Sequence, residues 1–309
     1  MRIAVTGASG FIGAAVATAL AEREHDVTGF GRTRAGWSHP LATYSTWDLT
    51  SGPHAVPVES AAFDAVVHCA ALADDWADAD VAERVNVLGT RAVIASFPGA
   101  RFVHLSTSSV YDAFTPSRHV RETHPMPQRF LSAYSATKAA AELEFAGTDA
   151  VILRPHAVYG PGDQTLLPRV IAAVRGRTLT LPEGAKVGHT LTHVDNVVDA
   201  VIHSIERSAP AGVYNIGDAT DVPLDTVITE FLHRRGMPDA RIASVPYAMA
   251  FAAAGALESV HRATRRGRPR ITRYAVSQLG LERTLDLTAA RTHLGYDPTP
   301  TTLAGAERW

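Results

Sequence analysis

Tyr134 and Lys138 stand four residues apart in the stretch SAYSATKAAAELEF. On a helix that spacing puts both side chains on one face. A phenol titrates near pH ~10 and is a poor proton donor or acceptor at neutral pH. A cationic neighbour favours the phenolate and lowers that value, so the pair can act as a general acid–base couple. The same spacing also arises by chance on amphipathic helices, and its company decides the reading. Residues 6–13, TGASGFIG, carry Gly7, Gly10 and Gly13 between a short apolar run and a stretch of helix formers. In such a strand-to-helix turn Gly7 permits the tight bend, Gly10 lets a pyrophosphate approach the backbone, and Gly13 lets the helix pack close to the strand. The helix N-terminus then offers N–H groups and a positive dipole end to phosphates.

These side chains need a scaffold, and the sequence predicts one. Strand candidates RIAVT, DVTGF, FDAVVHCAA, RFVHLST and AVILRP alternate with helix candidates FIGAAVATALAER, ADVAERVNVLGTRAVIASF and SAYSATKAAAELEF. Alternation of this kind implies βαβ units and an α/β fold, a Rossmann-type doubly wound parallel sheet with helices on both faces. No repeat, low-complexity tract or obvious linker interrupts it.

Composition bounds the rest. The chain has 309 residues and a net charge of -2, enough length for one large domain or two unequal ones and no global pull towards nucleic acid or membrane. Cys69 is the only cysteine, which excludes an intrachain disulfide and fits a reducing compartment. Neither a leader-like start nor an apolar run of membrane-spanning length is present, and a soluble cytoplasmic protein is expected. Without a Ser–His–Asp pattern or a G-x-S-x-G elbow, a hydrolase has little support. His189 and His193 are four apart, with Asp195 two further on, but neither H-E-x-x-H nor a cysteine-based zinc pattern accompanies them, so no metal is expected. HRATRRGRPRITR holds six arginines in thirteen residues. It reads first as a solvated surface, or else as a site for phosphate on a carrier-linked or nucleotide-linked substrate.

The G-x-x-G-x-x-G spacing resembles the short-chain dehydrogenase/reductase superfamily, and TGASGFIG resembles its extended branch, the NAD-dependent epimerase/dehydratase family. Further motifs follow in family order: WDLT at 47–50, VVHCAA at 66–71, NVLGT at 86–90, STSSVY at 106–111, YSATK at 134–138 and LRPHAVYGPGD at 153–163. The segments RPRITRYAVSQLG and LDLTAARTHLGYDPT resemble the tail of 3β-hydroxysteroid-dehydrogenase-like bacterial reductases. The resemblance implies catalysis by Thr107, Tyr134 and Lys138, with Ser106, Ser108 and Ser109 as possible substitutes for Thr107. It implies a cofactor set of Gly7, Ser9, Gly10, Phe11, Ile12, Gly13, Arg32, Asp48, Leu49, Ala70, Tyr134, Lys138, Pro155 and His156. It further implies a dinucleotide-binding domain over 1–160 that also receives about 187–217, a smaller, interleaved substrate domain over 161–309, and a homodimer. THVDNVVDAVIHSIE resembles the family's return helix, with Asp195 as N-cap.

Cofactor and substrate type follow from slots. An NAD site usually places Asp or Glu at the end of the second strand. Here that slot is Gly31, followed by Arg32 and, nearby, Arg34, which favours NADP over NAD. Nucleotide-sugar 4,6-dehydratases carry S-T-D-E before V-Y-G, whereas this chain has Ser108 and Ser109 in the acid slots, which argues against that elimination chemistry. His189 stands near where a sugar-nucleotide enzyme would present an arginine to a diphosphate. PYAMAFAAAGALESVHRA (246–263) reads as an apolar helix over the cleft, or as a core or dimer helix. His156 either touches substrate or cofactor amide, or is a packed loop residue, and Cys69 reads as a small buried residue behind the cofactor. The expected function is NADP-dependent interconversion of a ketone and an alcohol on a mainly apolar small molecule. Two alternatives stay open: an NAD(P)-dependent nucleotide-sugar epimerase and a non-catalytic dinucleotide sensor.

Overall fold

The computed structural model describes residues 1–33, 37–54, 62–206, 209–264 and 267–309. Seven parallel strands form its main sheet, in the spatial order Gly212–Ile216, Ala150–Pro155, Arg101–Leu105, Ala65–His68, Arg2–Thr6, Asp26–Gly31, Ala42–Thr46. Chain order reverses between Arg2–Thr6 and Ala65–His68. That reversal opens a crevice at the carboxyl ends of these strands, the usual ligand position in a doubly wound sheet.

The strands read as continuous apolar runs because both faces are covered. Ile3 and Val5 face one side with Val67, Val103, Val151 and Leu153, under the helices Phe11–Glu22 and Val194–Glu206 through Val16, Leu20, Val197 and Val201. Ala4 faces the other side with Val66, Phe102 and Ile152, against Val93, Phe97 and Phe145. Side chains alternate across a strand, so one short run feeds both cores. The edge strand Ala42–Thr46 was not foreseen. Its residues are half-buried or exposed, and ATYST carries no apolar run to announce it.

The expected helix over 79–97 is continuous but not uniform. A π turn, Arg84–Leu88, links the α segments Ala79–Glu83 and Gly89–Ser96. Within it Asn86 accepts from the Leu72 N–H at 2.7 Å and donates to Thr137 Oγ1 at 3.0 Å, tying the loop after Ala65–His68 to the helix that carries Tyr134. Such one-turn bulges re-aim a side chain. The return helix begins at Val194, so Asp195 lies inside its first turn and is not the N-cap. His193 does the local capping instead, its Nδ1 accepting from the Asp195 N–H at 3.3 Å.

The second half builds a separate apolar cluster around Tyr159, Leu179, Leu191, Phe231 and Leu232. Beside it runs a four-stranded sheet in the order Val222–Pro223, Gly188–His189, Arg283–Leu285, Ser117–Val120. Register places Arg283 opposite both His189 and Ser117. This small sheet gathers residues from both halves of the chain next to the crevice. No helix among the described residues is long and apolar enough to cross a membrane.

Candidate active site

The glycine turn sits at the carboxyl end of Arg2–Thr6. Gly7 has φ +74°, and a Cβ there would stand 2.7 Å from the Ala70 nitrogen. At Gly13 a Cβ would stand 2.1 Å from the Gly7 carbonyl oxygen, so helix and turn touch backbone to backbone. The Phe11–Glu22 helix starts at Gly10 with no side-chain cap. Its first-turn N–H groups therefore remain for a ligand, and Ser9 and Gly10 are exposed at its mouth, with Phe11 and Ile12 half-buried behind them. Gly162, in the loop after Pro155, would bring a Cβ to 3.4 Å from the Phe11 ring, so that loop closes over the turn. An uncapped helix start beside crowded, side-chain-free backbone fits a dinucleotide pyrophosphate.

At the far end of the crevice, Gly31 is the last residue of Asp26–Gly31. A Cβ there would meet the Tyr44 hydroxyl at 2.4 Å and Ser9 Oγ at 2.7 Å, so a side chain at this slot would have to push both aside. Arg32 is exposed beside it, and Arg34 lies outside the described residues. Asp48 accepts from the Thr50 N–H at 2.9 Å and the Thr50 hydroxyl at 2.8 Å. The Thr50 backbone bond, then the Thr50 hydroxyl and, to a smaller degree, Arg32 hold its carboxyl below the usual value. Leu49, next in line, is buried.

Thr107 follows the strand Arg101–Leu105 and caps a short turn, its Oγ1 accepting from the Ser109 N–H at 3.1 Å. Tyr134 and Lys138 lie on the helix Ala133–Leu143, capped by Ser132, whose Oγ accepts from the Ser135 N–H at 3.1 Å. One turn beyond Lys138, Glu142 is paired with Arg154 at 2.6 and 2.9 Å. That buried pair locks the helix to the strand Ala150–Pro155. The Thr107 hydroxyl faces the Tyr134 phenol. Lys138 is 2 % exposed and donates to the Leu105 carbonyl at 2.7 Å and to His104 Nε2 at 3.2 Å. Burial lowers its ammonium to about 8, opposed by Glu142.

One expectation is corrected here. Lys138 does not lower the Tyr134 phenol: burial pushes it above its ordinary value, and only Thr107 pulls it back. The Lys138 ammonium is turned instead to Leu105 and His104.

Sequence reasoning missed several neighbours. His104, fully buried, carries the Lys138 contact, and its other ring nitrogen has no hydrogen-bond partner among the described residues. Tyr274 is half-buried near Ser109, its phenol raised by desolvation and by nearby Tyr134 and Asp75. His156 is buried with Pro155, and both its ring nitrogens are engaged, Nδ1 with Ser108 Oγ at 2.7 Å and Nε2 with His189 Nδ1 at 3.0 Å. His193 lies elsewhere, against Tyr159 and Trp309. Arg283 sits opposite His189 in the small sheet. No local pattern announces these residues, because tertiary register brings them in. Cys69 is half-buried, its thiol pushed up to about 12 by burial.

The arginine-rich run is not simply a solvated surface. Arg268 pairs with Asp74 and Asp75, Arg262 stacks over Trp76 at 4.8 Å, and Arg273 pairs with Glu258 at 2.8 Å. Asp75 also accepts from the Thr272 hydroxyl at 2.6 Å. The run therefore straps the loop after Ala65–His68 to the C-terminal half. Arg265 and Arg266 lie outside the described residues. The apolar helix Tyr247–Ala263 packs through Ala250 and Ala254 on Val276, and leaves Met249, Leu257 and Val260 exposed.

Comparison with known proteins matches the model of the NAD dependent epimerase/dehydratase family to residues 3–217. The chain belongs to this family. It is an enzyme, an NAD(P)-dependent oxidoreductase of the extended short-chain dehydrogenase/reductase type. It is 33% identical to the 4-hydroxy-2-methyl-3-oxo-4-farnesyl-3,4-dihydroquinoline-1-oxide ketoreductase of Stigmatella aurantiaca, over 96% of this chain and 92% of that one. It is 32% identical to a 2-alkyl-3-oxoalkanoate reductase of Stenotrophomonas maltophilia, over 96% and 95%. Its fold matches a UDP-glucuronic acid 4-epimerase from Bacillus cereus solved with NAD, with a TM-score of 0.73 at 22% identity over 99% and 94% of the two chains.

Proposed function

We propose that this member of the family is an NADP-dependent ketoreductase that interconverts a ketone and a secondary alcohol on a mainly apolar small molecule. The observation that carries this reading is the approach of Thr107, after the strand Arg101–Leu105, to the helix that carries Tyr134 and Lys138. Ser108 and Ser109, rather than acids, continue from Thr107. The two reductases to which the chain is most extensively similar among those described act, by name, on ketones carried by apolar skeletons. The crowding around Gly31 and the exposed Arg32 favour a 2′-phosphate, since no carboxylate stands there to bind the free ribose hydroxyl or repel the phosphate. We further propose a cytoplasmic homodimer.

The nicotinamide, when bound, supplies the hydride. Tyr134 gives its proton to the substrate oxygen in the reductive direction and takes it back in the oxidative one. A phenol held above its ordinary pKa stays protonated and suits the reductive direction. Thr107 holds the same substrate oxygen. Lys138 keeps its ammonium fixed by two acceptors, which leaves one N–H for a ribose hydroxyl.

The test is turnover. Purified protein is expected to oxidise NADPH with hydrophobic cyclic or acyclic ketones and to bind UDP-sugars weakly. Epimerisation of a UDP-sugar with no net cofactor turnover would replace this reading with the epimerase one.

A further inference from the structure

His104 and His68 stand opposite each other on the strands Arg101–Leu105 and Ala65–His68, and Thr6 stands opposite His68 on Arg2–Thr6. A buried polar row thus crosses three apolar strands. His68 is held at both ring nitrogens, Nδ1 by the Thr6 hydroxyl at 2.7 Å and Nε2 by the Thr90 hydroxyl at 3.0 Å. The fully buried His104 ring has two ring neighbours, His68 at 5.1 Å and Phe145 at 4.9 Å.

His104 Nε2 lies 3.2 Å from the Lys138 ammonium nitrogen. An ammonium has donors and no acceptor, so Nε2 must be bare and Nδ1 must carry the ring proton. Nδ1 is buried and has no hydrogen-bond partner among the described residues. A buried donor left unmade costs stability, and an apolar side chain would fill the space without that cost. What the imidazole offers, and a leucine cannot, is an acceptor for Lys138. Protonation would abolish that acceptor. Burial first, then the Lys138 charge and His68, hold His104 well below its ordinary pKa.

We propose that His104 is a positioning residue for Lys138: its Nε2 takes one ammonium N–H and the Leu105 carbonyl a second, so that the third is left for the cofactor ribose. The inference rests on the reading of Lys138 as the catalytic, ribose-binding lysine and adds the group that aims it. The other titratable groups around Lys138 do not take its N–H. Glu142, one turn along the same helix, is committed to Arg154. The Cys69 thiol is pushed up to about 12 and the Tyr134 phenol is raised, so both stay protonated. His68, pushed down to about 3 by burial, stays neutral and bound to its two threonines.

The chain has two lysines, Lys138 and the exposed Lys186. NMR of protein labelled at the lysine side chains therefore follows the Lys138 ammonium directly, with neither substrate nor cofactor. Its midpoint is expected near about 8 in the wild type. A neutral acceptor stabilises the charged form, so His104→Leu should move the midpoint down by about one pH unit. His104→Gln offers a carbonyl acceptor and should recover most of that shift. A histidine that only packs would leave the midpoint unmoved in His104→Leu, and that result would overturn the proposal. If the Leu variant does not fold, nitrogen NMR of the wild type decides: Nδ1–H with a bare Nε2 supports the proposal, and Nε2–H contradicts it. At pH ~8 the Leu variant should bind NADPH about fivefold more weakly, the ratio of charged lysine on the two curves, and an unchanged affinity would count against a positioning role. Failure to reduce any ketone would strike the ketoreductase reading, while the lysine titration would still decide His104.

Discussion

Replacing Lys138 by Met is expected to stabilise the cofactor-free protein while destroying its activity. The lysine is 2 % exposed, and its ammonium falls from 10.5 to about 8. A group whose native pKa lies below its unfolded one binds fewer protons when folded. Its penalty is fully present below the native pKa and fades as pH rises towards the unfolded value. The shift corresponds to about 3 kcal/mol near pH ~6.5 and to about 1 kcal/mol near pH ~9.5. Met keeps most of the stem and removes the charge. It also leaves the Leu105 carbonyl and His104 Nε2 without their donor, which offsets about 1–2 kcal/mol. The variant should therefore exceed wild type by about 1–2 kcal/mol near pH ~6.5 and lose that lead near pH ~9.5. Urea unfolding of both proteins at the two pH values measures the gap, and other titrating groups cancel in the difference. A gap that stays constant with pH, or widens, would show that the ammonium carries no burial penalty and refute the reasoning.

Loss of Arg32 should separate the two cofactors. Arg32→Ala is expected to weaken NADPH binding by about 1.5–3 kcal/mol and NADH binding much less; calorimetric titration of both cofactors checks it, and equal wild-type affinities would end the NADP preference. Gly13→Ala would force a Cβ to 2.1 Å from the Gly7 oxygen, so helix and turn must part. We expect a loss of about 1–3 kcal/mol in thermal or urea unfolding together with loss of NADPH binding, whereas Gly267→Ala, with nothing within 4 Å, should do neither.

The sequence makes the fold legible where side-chain pattern and backbone demand coincide. RIAVT, DVTGF and AVILRP are apolar because parallel strands are covered on both faces, and the glycines of residues 7–13 stand where the backbone crowds. Ala42–Thr46 was invisible because an edge strand with half-exposed residues needs no apolar run. The proposed core of the site, Thr107, Tyr134 and Lys138, rests on motif spacing. Its surroundings were not legible. Arg283 reaches His189 only through the register of the small sheet, and Tyr274 comes near Ser109 from the distant helix Arg273–Gly280. The direction of the Tyr134 shift escaped as well, since sequence supplies the charged neighbour and not the degree of desolvation. Likewise Asp195 has the right chemistry for an N-cap, but the chain enters the helix one residue earlier and the capping passes to His193.

The proposed chemistry stands on the Tyr134 phenol as the proton donor. Tyr134→Phe removes one oxygen and leaves the ring, so the helix Ala133–Leu143 should still pack and NADPH should bind as in wild type. With a ketone substrate, single-turnover oxidation of bound NADPH should slow by ~10²–10⁴, the range of a positioned general acid. If the Phe variant binds NADPH normally and turns over at the wild-type rate, the proton comes from elsewhere and Tyr134 is not the catalytic acid.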